Sequence, residues 1–187
     1  MSSSHGEPHI FDEMRDRRII FVRDPLDAEE ANRVIAELLH MEGRSPLDGI
    51  MMRINCSQAD PQAALAVYDT MQAVLGPVTT LCAGAAVGGA ALLVAAGAGG
   101  RRSALPSAQF VLQQPAGRLT GRPTEIEAAS QRLLALRTQL NELLAKHTGQ
   151  PLTRIEEDTD RRLALNAEEA RSYGLIDHVA GASGSRI

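Results

Sequence analysis

The sequence predicts an α/β fold of repeated βαβ units, and three observations carry that expectation. Short apolar runs rich in β-branched residues alternate along the chain with stretches whose apolar residues recur at helical spacing. Residues 78–100, VTTLCAGAAVGGAALLVAAGAGG, carry no charge and read as a buried strand, a small-residue turn and a buried helix. Residues 124–147 read as one long amphipathic helix.

Taken in order, residues 1–9 are polar and are expected to be disordered. Arg18-Ile19-Ile20-Phe21-Val22 is an apolar run bounded by charge, a buried strand. Asp24 to Asp27 form a turn, and the Asp27 carboxylate can accept from the first N–H groups of a helix from Ala28 to about Met41. Ala31, Val34, Ile35 and Leu38 share one face of it. A loop from Gly43 to Asp48 leads to a strand over Gly49–Asn55, and Cys56–Pro61 is a turn. The next helix, about Gln62 to Leu75, puts Leu65, Tyr68, Met71 and Leu75 on one face and is broken by Gly76-Pro77.

In the central stretch, Val78–Cys82 is the strand, Gly84–Gly89 the turn and Ala90–Ala96 the helix, closed by Gly97, Gly99 and Gly100. Ala108–Gln114 is a further strand and Pro115–Pro123 a Gly-rich excursion. In the long helix Leu133, Leu136, Leu140 and Leu143 alternate spacings of three and four, with Ile126 a heptad earlier, which makes a seam for another helix. Gly149 stops it. Short helices near Leu152–Asp158 and Ala167–Tyr173, the latter with Glu168 and Glu169 in its first turn, precede a last strand, Leu175–Val179. Residues 181–187 are a small, polar, flexible tail; residues 10–180 are expected to form one domain.

Composition narrows the partners. Hydrophobic residues make up 44% and charged residues 22% of the 187, as in soluble globular proteins. A net charge of −4 with scattered basic residues argues against a nucleic-acid surface. Cys56 and Cys82 lack metal-type spacing and fit a reduced, cytoplasmic protein; no metal or cofactor is expected. The N-terminal segment lacks the apolar core of a signal peptide. The charge-free stretch is long enough to cross a bilayer, but its Ala/Gly content and strand-like start favour a buried core over a membrane span. A strand turning through small residues into a helix is how several folds expose a nucleophile. Here the turn offers Val87, Gly88 and Gly89, none of which can attack or give up a proton.

Several motifs in order resemble the Clp protease proteolytic subunit, ClpP, over about residues 10–180. They are Arg18-Ile19-Ile20-Phe21, Tyr68-Asp69-Thr70-Met71-Gln72, Ala104-Leu105-Pro106, Gln114-Pro115, Asn141-Glu142-Leu143, His147-Thr148-Gly149-Gln150, Asp158-Thr159-Asp160-Arg161, Ala167-Glu168-Glu169-Ala170 and Tyr173-Gly174-Leu175-Ile176-Asp177. The resemblance implies a crotonase-like spiral of βαβ units with a protruding handle strand and helix at about 113–147. It also implies heptameric rings stacked through the handles and an AAA+ unfoldase that feeds them.

The family's chemistry is a Ser-His-Asp triad with an oxyanion hole. Its serine lies fifth in a Gly-Met-Ala-Ala-Ser-Met-Gly-Ala turn, which matches Gly84 to Ala91 and puts Gly88 at the nucleophile. Its histidine precedes Gln-Pro and matches Gln113; its aspartate matches Arg162, after Asp160-Arg161. The oxyanion loop, Asn-Ser-Pro-Gly-Gly-Ser, matches Asn55-Cys56-Ser57-Gln58-Ala59-Asp60, so Gln58 and Ala59 displace the family's residues and Asp60 adds a carboxylate expected to repel an oxyanion. Ser57 has no nearby base suggested by sequence, Cys82 reads as a buried inert thiol, and His147 matches a handle histidine of structural role. The expectation is a pseudoenzyme.

By the same resemblance, aromatics of the inter-subunit pocket that receives unfoldase loops become Met51, Arg53, Ala73 and Ser103, which predicts weak or absent docking. The assembly features persist: Leu133, Leu136 and Leu140 on the seam, and Asp160-Arg161 where the family couples its two rings. The chain is therefore expected to form heptameric rings with an active ClpP paralogue, meeting the unfoldase only indirectly. Alternatives are an inert peptide-binding homo-oligomer, a crotonase-like enzyme acting on a thioester or amide, and a serine peptidase by family name only.

Overall fold

The computed structural model describes residues 7–115 and 120–181. Its first helix, α1 (Glu7–Asp16), begins inside the segment expected to be disordered and sets Phe11 edge-on against Phe21, ring centroids 5.6 Å apart. Then come β1 (Ile19–Val22), α2 (Ala28–Arg44), β2 (Ile50–Cys56), α3 (Pro61–Ala73), β3 (Val78–Val87) and α4 (Gly89–Ala95). β4 (Arg102–Ala104), β5 (Gln109–Val111), α5 (Pro123–Thr148), α6 (Leu152–Asp160), β6 (Ala164–Asn166), α7 (Ala167–Tyr173) and β7 (His178–Val179) complete it. Asp27 caps α2 as expected, its carboxylate accepting from Glu29 N and Glu30 N. Asn166 and Glu169 cap α7 reciprocally, which gives one of the two acidic residues of that turn a definite task.

The sheet runs β1-β2-β3-β4-β7, all parallel, as βαβ crossovers require. β3 is its spine and forks. Thr80–Cys82 pair with β4, whereas Ala85–Val87 pair with β5, which in turn pairs antiparallel with β6. The turn expected over Gly84–Gly89 is therefore strand as far as Val87. The ladder survives because the Asn55 side chain accepts from Ala85 N at 3.0 Å where the β2–β3 register shifts. Gly84 stands against that side chain at φ 140°, a place without room for a Cβ. The short strands β4 and β6 are additions to the expected set, and the last strand is confined to His178–Val179.

One face of the sheet is covered. Ile20, Val22, Met52, Ile54, Thr80 and Cys82 are buried there, and Thr80 Oγ1 donates to Val94 O of α4 at 2.8 Å. Every residue of α4 is buried, which explains why the charge-free stretch is core; no helix among the described residues is long and apolar enough to cross a membrane. Leu65, Tyr68 and Met71 of α3 pack inward as expected, but Leu75 lies beyond the helix end and is 71% exposed.

α5 matches the expected long helix, capped by Gly149 in the left-handed conformation. Its burial is lopsided. Only Leu140, Asn141 and Leu144 are buried, so the N-terminal stretch from Pro123 to Gln139 contributes no buried residue. Leu133 and Leu136 are half-buried, whereas Leu140 belongs to this chain's own core and is not a free seam position. Leu134 and Ile126 are the large apolar side chains left exposed on this helix. The handle strand expected after residue 113 does not form among the described residues 113–115, and residues 116–119 and the tail from 182 lie outside the description.

One side chain holds three helix ends together. Arg102 N and Nε donate to Asp177 Oδ2 at 2.9 and 3.1 Å, and Nη2 donates to Oδ1 at 2.7 Å. Its Nη1 reaches Ala95 O, His147 O and Gly174 O at 3.2, 2.8 and 2.9 Å, carbonyls at the C-terminal ends of α4, α5 and α7. Such carbonyls lack intrahelical donors and carry partial negative charge, so a guanidinium is a suitable partner.

Candidate functional site

The three positions aligned with the family's triad converge on one cavity of about 460 Å3, whose wall includes Gly88, Gln113, Arg162, Ala59, Leu140 and Asp160. Gly88 ends β3 at φ 56°, ψ −115°, a conformation that favours glycine, and its N–H donates to Val111 O at 2.9 Å. β5 delivers Gln113 beside it: a Cβ on Gly88 would meet Gln113 Cγ at 3.4 Å and Nε2 at 3.5 Å. Arg162, at φ 55° after α6, donates from Nη2 to Gln113 Oε1 at 3.0 Å. The three positions follow one another in space in the order in which the motif alignment set nucleophile, base and orienting group. Chemically they are a glycine, an amide that does not titrate and a permanent cation.

The loop matched to the oxyanion loop is tied down by Asp24, a residue that sequence reasoning placed only in a turn. Asp24 Oδ1 accepts from Ser57 N at 2.7 Å and Gln58 N at 2.8 Å, and Oδ2 accepts from Ser57 Oγ at 2.7 Å. Burial opposes the charge on Asp24, but these hydrogen bonds outweigh it and hold its carboxyl below the usual range. Ser57 thus has an acidic neighbour that sequence did not suggest, yet a carboxylate held low is a weak base. Leu26 N donates to Gln58 O and Asp60 N to Leu26 O, both at 2.8 Å. Ala59 reaches the cavity wall, whereas Gln58 is exposed away from it.

One expectation about charge changes, and the Asp160-Arg161 charges have partners within the chain. Asp60 does not face the cavity: its carboxylate caps α3, accepting from Gln62 N at 3.0 Å and Ala63 N at 2.9 Å. Asp160 and Arg161 do not pair with each other. Asp160 Oδ1 accepts from Gln114 Nε2 at 3.1 Å, at the cavity. Arg161 Nη2 instead donates to the buried Asp158 at 2.6 Å, which also accepts from Tyr173 OH at 2.6 Å. Burial, then the Asp158 hydrogen bond, pushes the Tyr173 phenol up.

The remaining reactive groups are quiet. Burial pushes the Cys56 thiol to about 12, helped by Asp24, and burial alone pushes Cys82 to about 12, so neither supplies thiolate near neutrality. His147 Nε2 lies 3.0 Å from Tyr68 OH, and burial, then Lys146 and Arg102, lower its pKa. It lies outside the cavity, in keeping with a structural role.

Of the aligned docking residues, three share the sheet face opposite α4. Arg53 stands in register between Phe21 and Leu81, and Leu81 pairs with Ser103; Met51 lies two residues before Arg53 on the same face. Ala73 ends α3 and is exposed within the helical layer, so one chain does not bring it to the other three. The Clp protease family model matches residues 3–183, and the chain is a member of that family, a subunit of the type that forms rings and works with Clp ATPases.

Proposed function

We propose that this chain is a non-hydrolytic Clp protease subunit that builds heptameric rings in the cytoplasm and joins a hydrolytic paralogue, which it supports or regulates. One observation supports the reading: Gly88, Gln113 and Arg162, which the motif order aligns with nucleophile, base and orienting group, stand together at one cavity. Acyl transfer needs a hydroxyl or thiol that can lose its proton to a neighbour, and the members of a triad act as a unit. Among the described residues no serine, cysteine or histidine lines this cavity, and the Thr159 hydroxyl there is engaged with Asn141 Oδ1 and Glu156 O.

The purified chain should hydrolyse no peptide and take no label from serine-directed fluorophosphonates; stoichiometric labelling at any residue would overturn the reading. Gly88→Ser alone should stay inactive, because the group beside it remains the Gln113 amide. Turnover by that single variant would mean that another group serves as base.

The same proposal covers the ends of the particle. With Met51, Arg53, Ala73 and Ser103 in place of aromatics, a ring of this subunit offers little to an apolar unfoldase loop, each missing ring costing roughly 150–250 Å2 of burial. Mixed particles viewed by electron microscopy should carry an ATPase hexamer at the paralogue's end only. Affinity purification of the tagged chain from its own cells, with partners identified by mass, should recover that paralogue.

A further inference from the structure

We infer that the cavity around Arg53 binds a peptide segment of a partner protein that presents a carboxylate side chain next to an apolar one. The cavity measures about 440 Å3; Phe21 and Ala83 bring apolar carbon to its wall, and the Asp24 carboxylate stands in the same wall. Arg53 Nε is shielded from solvent and has no hydrogen-bond partner among the described residues, and the side chain forms no ion pair with any of them. That one N–H, withdrawn from water without an acceptor, is costly, and the cost is relieved when an acceptor enters; the half-buried side chain keeps its Nη groups open to an incoming partner.

The acceptors nearby are already taken. Asp24 keeps its charge but turns both oxygens to Ser57 and Gln58, and Asn55 Oδ1 accepts from Ala85 N, so neither pairs with Arg53. Arg23, also in the wall, is held by Glu30 at 3.4 Å. The cavity therefore presents the Arg53 guanidinium and the Asn55 amide N–H groups beside apolar carbon. Its complement is an acceptor-only anion attached to an apolar body, and a carboxylate fits the planar guanidinium fork with two parallel hydrogen bonds. A polypeptide suits the site better than a free small acid, because half-exposed Met51 and Ile19 continue the same sheet face beyond the cavity. The inference refines the docking reading given above and does not depend on the loss of hydrolysis: Arg53 excludes an all-apolar segment and selects an acidic one.

The test uses fluorescence anisotropy with the full chain in its assembled state. The probes are fluorescein-Gly-Ser-Leu-X-Leu-Gly-Ser amides in which X is Glu, Gln or Leu. The Glu peptide should bind about tenfold or more tightly than the Gln peptide, as expected for a charge-assisted pair. Arg53→Met should erase that preference and favour the Leu peptide. Arg53→Lys, which keeps the charge and loses the fork, should fall between. Sodium hexanoate should displace the Glu peptide only at concentrations far above the peptide's own Kd. Equal binding of the Glu and Gln peptides, a preference that survives in Arg53→Met, or hexanoate binding as tightly as the peptide would each overturn the inference. If no peptide binds, the inference fails and the docking reading stands; if the Leu peptide binds wild type as tightly as the Glu peptide, both fail.

Discussion

Arg102→Met should lower the unfolding free energy by about 3 kcal/mol, the low end of the range for removing one partner of a buried ion pair, since this pair is part-buried. The side chains of Arg102 and Asp177 are 13% and 19% exposed, and the substitution also strips a donor from the carbonyl ends of three helices. Urea titration followed by circular dichroism reads this directly. Removing both charges, as Arg102→Met with Asp177→Leu, should recover only part of the loss, since those carbonyls remain unanswered. Full recovery would mean that the carbonyl contacts contribute nothing.

The same bridge sets an acid limit. Burial opposes the charge on Asp177, but hydrogen bonds from Arg102 and its charge prevail, so the carboxyl is held below its ordinary value. A depressed carboxyl contributes stability above its unfolded pKa of about 3.9, and that stability is lost as the pH falls towards the folded value. Stability measured from pH 6 to pH 3 should therefore fall more steeply in wild type than in Arg102→Met. Parallel profiles would show that the bridge does not govern this limb.

The second large effect separates core from assembly along α5. Leu140→Asp should unfold the chain or leave it molten, because a carboxylate buried without a partner costs several kcal/mol. Leu133→Asp and Leu134→Asp should leave the circular dichroism spectrum and Tm near wild type and yet split the larger assemblies seen by native mass spectrometry. The contrast follows from burial: Leu140 is 7% exposed, whereas Leu134 is 58% exposed. Wild-type assembly in both outer variants would remove the N-terminal part of α5 from the ring contact.

This division was only partly legible beforehand. Leucine spacing announced the helix and its apolar side, but periodicity cannot say which turns of a stripe meet the same chain and which are left for another. Likewise the βαβ order and the cap at Asp27 followed from local patterns. β4 and β6 escaped notice because each spans three residues and is fixed by its neighbours, not by a hydrophobic run. The convergence of positions 88, 113 and 162 came from motif order, whereas the partners of Arg162 and the true target of Asp60 depend on side-chain directions. Arg102 gave no sequence signal at all: in the chain it is one of two adjacent arginines after a glycine run, and only the fold brings three helix ends within its reach.

Gly88 has a consequence for how firmly the present state is kept. Its backbone holds a conformation that a residue with a Cβ occupies at a cost of about 1–3 kcal/mol. Glycine there is relaxed; a serine would not be. A serine returned alone would make the protein less stable and no more active, and only matching changes at positions 113 and 162 would give that strain a use. On the proposed non-hydrolytic reading, a departure from hydrolysis would work as a ratchet: each single step back runs uphill, so the conformation that a nucleophile would need would guard against its return.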